Sequence, residues 1–209
     1  MLLCTDGGHY DNLGLVELLR RKCAYVYCFD ASGASPPLAG TLAQAITLAR
    51  EELGVEIVLK EPYTLVAGGG KAIDPQGPLA TLNGTLSATS VITATIHYPK
   101  WNEDELADGL LIFAQANLTP DIPYEILDFT RPDPGFPNDG TADQWFDASR
   151  FDAYQRLGLY LGSEVAKTRG VLKWLNVKAS PSASADRAPR ASGGPKRAGF
   201  RRPRVQDTT

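Results

Sequence analysis

Histidine, methionine and cysteine are scarce in this chain, at two, one and three residues out of 209. The two histidines, His9 and His97, lie far apart in sequence, which argues against a histidine-rich metal centre. Cys4, Cys23 and Cys28 are an odd set without a CxxC spacing, so they read as buried free thiols in a reducing compartment, not as a disulfide framework or a zinc site. No run of about 18 apolar residues occurs, so no transmembrane helix is written here. The opening Met1-Leu2-Leu3-Cys4-Thr5-Asp6 has neither a basic region nor a long apolar stretch and is not a signal peptide. A cytoplasmic chain is the expectation. Gly68-Gly69-Gly70-Lys71 is not a phosphate loop, because that motif needs glycine where Leu65 stands and serine or threonine where Ala72 stands. No cofactor and no metal are therefore expected.

What is present is ordinary in amount and uneven in placement. A hydrophobic fraction of 43% with 22% charged residues excludes a wholly disordered chain, and the length suits one domain with a real core. Residues 179–209 carry seven Lys/Arg (Arg187, Arg190, Lys196, Arg197, Arg201, Arg202 and Arg204) against Asp186 and Asp207. That tail is +5, which leaves −8 on residues 1–178 of an overall −3. Rich in Ser, Pro, Ala and Gly and without hydrophobic period, it cannot bury enough apolar surface to offset ordering entropy, so disorder is expected. Such a tail is drawn weakly to anionic surfaces, at roughly 1 kcal/mol per charge beside a membrane. A solvated terminus without a partner is the simpler reading, and no specific nucleic-acid partner is expected.

Along 1–178 the pattern alternates between strand and helix. The run Leu2-Leu3-Cys4 stops at Asp6-Gly7-Gly8, and Asn12 offers a cap for a helix over Leu13 to Cys23. Leu15, Val16, Leu19 and Cys23 form its apolar face, with Glu17 and Arg21 paired at i,i+4 on the other. Ala24 to Phe29, ending at Asp30, predicts a strand buried on both faces. A helix over Thr41 to Leu53 and a strand over Val55 to Leu59 come next. This succession predicts an α/β layered fold with parallel pairing. Glu61 to Gly84 is a Gly/Pro-rich excursion. Strands are expected at Ser90 to Tyr98 and Gly109 to Ala116, then a helix on which Phe151, Tyr154, Leu157, Leu161 and Val165 share one face.

Asp6 has the most informative setting. It ends the first predicted strand, where open α/β sheets gather functional residues, and two glycines follow it. A carboxylate there can serve as a general base, or merely cap the Gly-Gly turn. On spacing alone the two readings stand equal. The longer string, Thr5-Asp6-Gly7-Gly8-His9-Tyr10-Asp11-Asn12-Leu13-Gly14-Leu15, resembles the Asp-Gly-Gly segment of the bacterial branch of the patatin-like phospholipase family. Further matches follow in order at Phe29-Asp30-Ala31, at Gly54-Val55-Glu56-Ile57, and at Thr141-Ala142-Asp143-Gln144-Trp145-Phe146-Asp147 running into Phe151-Asp152-Ala153-Tyr154. The resemblance covers residues 1–160, and the DGG string with the ADQ-aromatic-aromatic segment makes it specific.

The resemblance implies a lipid-ester hydrolase with a serine–aspartate dyad. In that family a serine in a G-x-S-x-G elbow attacks the ester, the aspartate of the DGG motif is its base, and an upstream glycine-rich loop forms the oxyanion hole. Carried over, Asp6 is the catalytic base, and Gly7 and Gly8 shape its turn. His9 is expected beside the site or at the surface, not as a base. The pattern breaks at one point, because no G-x-S-x-G occurs in the 209 residues. In the family the elbow and oxyanion loop precede the aspartate, and only five residues precede Asp6 here.

The implied fold is thus a layered patatin-like α/β sheet flanked by helices, lacking the N-terminal strands that carry the nucleophile. Residues 1–178 correspond to the C-terminal part of the hydrolase domain and 179–209 to the tail. The expected partner is a lipid ester substrate, met only with the upstream half present, in a longer parent protein that can associate with a membrane. No activity is expected of the chain alone. The rival expectation is a non-catalytic binding protein built on a degenerate hydrolase fold with a basic tail.

Other residues rank lower. Asp30 also ends a strand, with a turn role favoured. Glu103, Asp104 and Glu105 beside Trp101 read as a solvated loop face. Trp145, Phe146, Phe151 and Tyr154 can touch lipid, although helix aromatics are more often core. Ser32 and Ser163 each neighbour a glycine without the strand–turn–helix context of an elbow.

Overall fold

In a computed structural model the protein is described at residues 7–33, 39–68, 74–77, 80–100, 107–140, 143 and 145–174, with backbone alone over 169–174. The expected first strand, the acidic cluster Glu103–Asp104–Glu105 and the basic tail lie outside these residues. Contacts group the chain into Met1–Leu175 and Asn176–Thr209, and every described residue belongs to the first.

The elements run α1 (Leu15–Arg20), β1 (Tyr25–Asp30), α2 (Gly40–Leu53), β2 (Glu56–Leu59), β3 (Val91–His97), β4 (Asp108–Gln115), α3 (Tyr124–Phe129) and α4 (Ala148–Trp174). The fold is mixed α/β: one four-stranded sheet in the order β1-β4-β3-β2. Among the described residues only β1 and β4 pair in parallel, whereas β4–β3 and β3–β2 are antiparallel. The expected parallel pairing is thereby corrected. The crossover through α2 carries the chain from β1 to the far edge, and β3 then fills the gap running the other way.

Two cores hold the sheet between helices. On one face Val26 and Cys28 of β1, Leu111 and Phe113 of β4, Ile92, Ala94 and Ile96 of β3 and Ile57 of β2 pack against Leu15 and Leu19 of α1 and Leu42, Ala45 and Ala49 of α2. On the other, Ile112 and Ala114 meet Val165 of α4. β4 is therefore sealed on both faces. β1 is not: Val26, Cys28 and Asp30 are buried while Tyr25, Tyr27 and Phe29 are 46%, 40% and 56% exposed. The expectation of burial on both faces fails because α4 packs over β4 and β3 rather than over β1.

The first helix is shorter than its apolar pattern. Gly14 takes φ +64°, a left-handed conformation that stops the helix from extending back to Leu13, and Lys22 at φ +51° ends it before Cys23. Asp11, not Asn12, supplies the cap, accepting from the Leu13 amide at 3.0 Å and the Val16 amide at 2.7 Å. The Glu17–Arg21 pair forms as expected, at 3.1 Å. At the other end of the chain, α4 buries Ala153, Leu157, Leu161 and Val165.

The aromatics around the start of α4 are not core. Trp145, Phe146 and Phe151 are 92%, 41% and 64% exposed. The first two precede the helix, and Phe151 lies off the stripe that starts at Ala153. Only Tyr154 turns inward, meeting Phe136 edge-on and stacking on Phe146. Among the described residues no helix is long and apolar enough to cross a membrane.

Candidate functional site

Polar residues gather at the carboxyl ends of β1 and β4. Strand register places Asp30 beside Gln115, on the face that α1 and α2 cover. Both are buried in a strand end otherwise made of apolar residues. Burying a carboxylate demands partners, and Asp30 has them. Its Oδ1 accepts from the Ser32 amide at 2.9 Å and the Ser32 hydroxyl at 2.5 Å, and its Oδ2 accepts from the Thr41 hydroxyl. The Ser32 contacts close a turn over two residues, and Thr41 ties that turn to the start of α2. Asp30 is thus a structural clamp, the role the sequence favours for it. Ser32 gives its hydroxyl proton to the turn, and Ser163, on α4, gives its own to the Tyr160 carbonyl at 2.7 Å. Neither sits in a strand–turn–helix elbow.

Around this clamp several groups are left without partners. The Ser90 hydroxyl, Gln115 Oε1 and Asn117 Oδ1 are buried and accept or donate no hydrogen bond among the described residues. Backbone bonds hold them at one end of the sheet: the Gln115 amide donates to the Ser90 carbonyl at 2.9 Å and the Ala116 amide to the Asp30 carbonyl at 2.8 Å. Asn117 spends its amide protons on the Thr89 and Leu65 carbonyls, at 3.2 and 3.5 Å. None of Thr41, Ser90, Gln115 or Asn117 stands out in the sequence. The one signal is the polar pair that interrupts Ala114-Gln115-Ala116-Asn117 directly after the apolar run.

The Gly-Gly motif leads into α1. Gly7, Gly8 and His9 form one exposed 3-10 turn, whose Gly7 carbonyl accepts from the Tyr10 and Asp11 amides, both at 3.0 Å. Asp11 then caps α1, and its charge bears on Cys28 of β1. Burial pushes the Cys28 thiol up to about 12, with the Asp30 and Asp11 carboxylates adding to the effect. Cys28 is therefore a neutral thiol at ordinary pH and no nucleophile. Asp6 itself lies outside the described residues, as does Cys4. Cys23 is a half-buried free thiol.

The second histidine is remote from this end. His97 faces Asp108 across β3 and β4, with Nδ1 2.7 Å from Oδ1, at the amino end of β4. Among the described residues no group of three His, Cys, Asp or Glu is arranged to hold a metal ion. Of the glycine-rich segment at 68–71 only Gly68 is described; at φ +80° it donates its amide to the Leu86 carbonyl at 2.9 Å. Comparison of the chain with protein-family models, with curated proteins and with solved structures gave no match.

Proposed function

We propose that the chain is the base-bearing, C-terminal part of a patatin-like serine acyl hydrolase acting on lipid esters, with Asp6 as the base of a serine–aspartate dyad. The layered patatin-like sheet, with further strands supplied by polypeptide outside these 209 residues, belongs to the same proposal. One observation carries it beyond the motif string. The turn that follows Asp6 runs into a helix capped by Asp11, whose carboxylate, like that of Asp30, bears on Cys28 of β1. A capped helix directly after the glycine turn supports a motif at the carboxyl edge of the sheet, where α/β sheets place reacting groups.

In this reading the serine hydroxyl attacks the ester carbonyl as Asp6 takes its proton, and the alcohol leaves with a proton from the same carboxyl group. Water, deprotonated by Asp6, then releases the fatty acid. The serine and the oxyanion donors come from outside the chain, so the 209 residues alone leave p-nitrophenyl esters unhydrolysed and take no fluorophosphonate label.

The test is the cellular product that contains this sequence. A larger protein with a G-x-S-x-G takes the label, and its Asp6→Asn variant loses about 10²- to 10⁴-fold in kcat with the fold intact. Fluorophosphonate-sensitive turnover by the chain alone, or an unchanged rate in Asp6→Asn, ends this reading. A stable product beginning at Met1 moves the case to the rival, a binding protein with a basic tail.

A further inference from the structure

A cavity of about 650 Å³ opens beside the polar end of the sheet, between the turn Ala80–Gly84, the segment after β4 and the loop after α3. Its size falls within the roughly 300–1,000 Å³ of small-molecule pockets. The apolar part includes Leu118 and Phe136, both buried in a further cluster with Leu86, Ile126 and Leu157. The polar part is neutral apart from one arginine. Thr85 and Thr130 line the cavity, and each hydroxyl proton is already given to a backbone carbonyl, of Leu82 at 2.8 Å and of Leu127 at 2.6 Å. What these hydroxyls still offer is lone pairs. Asn117 also lines the cavity, its amide group spent on the Thr89 and Leu65 carbonyls, and Thr81 and Asn138 complete the polar wall. Against these acceptors stands one cation, Arg131, half-neutralised by Asp128 at 2.9 Å.

We propose that this cavity binds a small neutral polyhydroxylated ligand, a monosaccharide or cyclic polyol. Such a molecule carries hydroxyl protons for the acceptors and hydroxyl oxygens for Arg131. It also has C–H faces to lie against Leu118 and Phe136. An anion fits poorly, because the one cation in the lining, Arg131, is already paired with Asp128. A purely apolar ligand leaves the polar wall desolvated and unpaired.

The wall is built before any ligand arrives. Arg150 of α4 holds the loop through Asp133 at 2.9 Å and Asp143 at 2.6 Å, and the Tyr154 hydroxyl donates to Asp139 at 2.7 Å. Phe136 is wedged edge-on between Phe129 and Tyr154, with ring centroids 5.1 and 4.9 Å away. Preorganisation of this kind lowers the ordering cost of binding. The site is independent of Asp6 and stands whether or not the chain belongs to a hydrolase.

The experiment is a titration of the ¹⁵N-labelled full chain with glucose, galactose, myo-inositol and sodium sulfate, each to about 50 mM, the range in which weak single-site binding is still read. At least one of the three polyols shifts the amides of Thr85, Leu118 and Arg131. Thr85→Val and Arg131→Met, with unchanged melting temperatures, each weaken that binding about tenfold, the loss expected for one hydrogen bond. Thr47→Val, on the exposed side of α2, leaves it unchanged. Absence of shifts with all three polyols overturns the proposal. So do shifts that survive both variants, and so does a response to sulfate alone.

Discussion

The two faces of the sheet are closed to different degrees. α1 and α2 seal one face from β1 to β2, whereas α4 covers the other only over β4 and β3. On the sealed face Leu111 and Phe113 have no exposure at all, and on the open face Tyr25, Tyr27 and Phe29 keep two-fifths or more of theirs. The same strand, β1, thus contributes alternate residues to two environments, and the difference separates what stabilises this domain from what it still presents. An exposed aromatic row next to a covered core face is a surface that some other structure can complete.

The contrast is sharpest where the sealed face is hollowed. Phe113→Ala removes a fully buried ring that sits among residues of β1, β3 and both helices. A loss of about 3–5 kcal/mol is expected in urea denaturation, with slope unchanged. Val165→Ala, on the helix of the open face, is expected to cost roughly 1–2 kcal/mol, since its side chain meets only Ile112, Ala114 and their neighbours. Tyr27→Thr, on the exposed row, should move stability by no more than about 0.5 kcal/mol. A loss from Tyr27→Thr that rivals Phe113→Ala would mean that the aromatic row is covered in solution, and the comparison of faces would collapse.

A fourth prediction concerns the clamp between α4 and the cavity loop. The hydrogen bond from Arg150 holds the Asp143 carboxyl below the usual aspartate range, helped by the Trp145 amide. A carboxyl group with a lowered folded pKa stabilises the protein above its unfolded pKa of about 3.9, and that contribution fades as pH falls through the lowered value. The melting temperature of the wild type should therefore fall on the acid side more steeply than that of Arg150→Met. The variant starts lower near neutral pH, and the two curves converge in acid. Parallel curves would show that the pair is screened by solvent and contributes nothing measurable.

Legibility followed the range of the interaction that fixes each feature. The α2 boundaries, the strands over 56–59, 91–97 and 108–115 and the Glu17–Arg21 pair lie within a few residues of their expected positions. Periodicity and turn residues act over the same few residues that the eye scans. α1 was overextended because Gly14 and Lys22 adopt left-handed conformations, which an apolar pattern does not reveal. Of the polar cluster at the sheet's carboxyl end, the sequence marks only Asp30. Its other members, Thr41, Ser90 and the Gln115–Asn117 pair, come from three places in the chain and acquire meaning only when the strands pair.

By itself the sequence determined the alternation of elements and the apolar core positions. These are consequences of local propensity and of how much apolar surface each segment can bury. Tertiary structure alone decided the strand order, the single parallel pair and the exposure of one side of β1. It also decided which polar side chains meet at the sheet's carboxyl end. Each of those depends on which distant segment arrives as a neighbour. A residue's own flanks do not record that, because hydrogen bonding between strands and coverage by a helix are set across tens of residues of intervening chain.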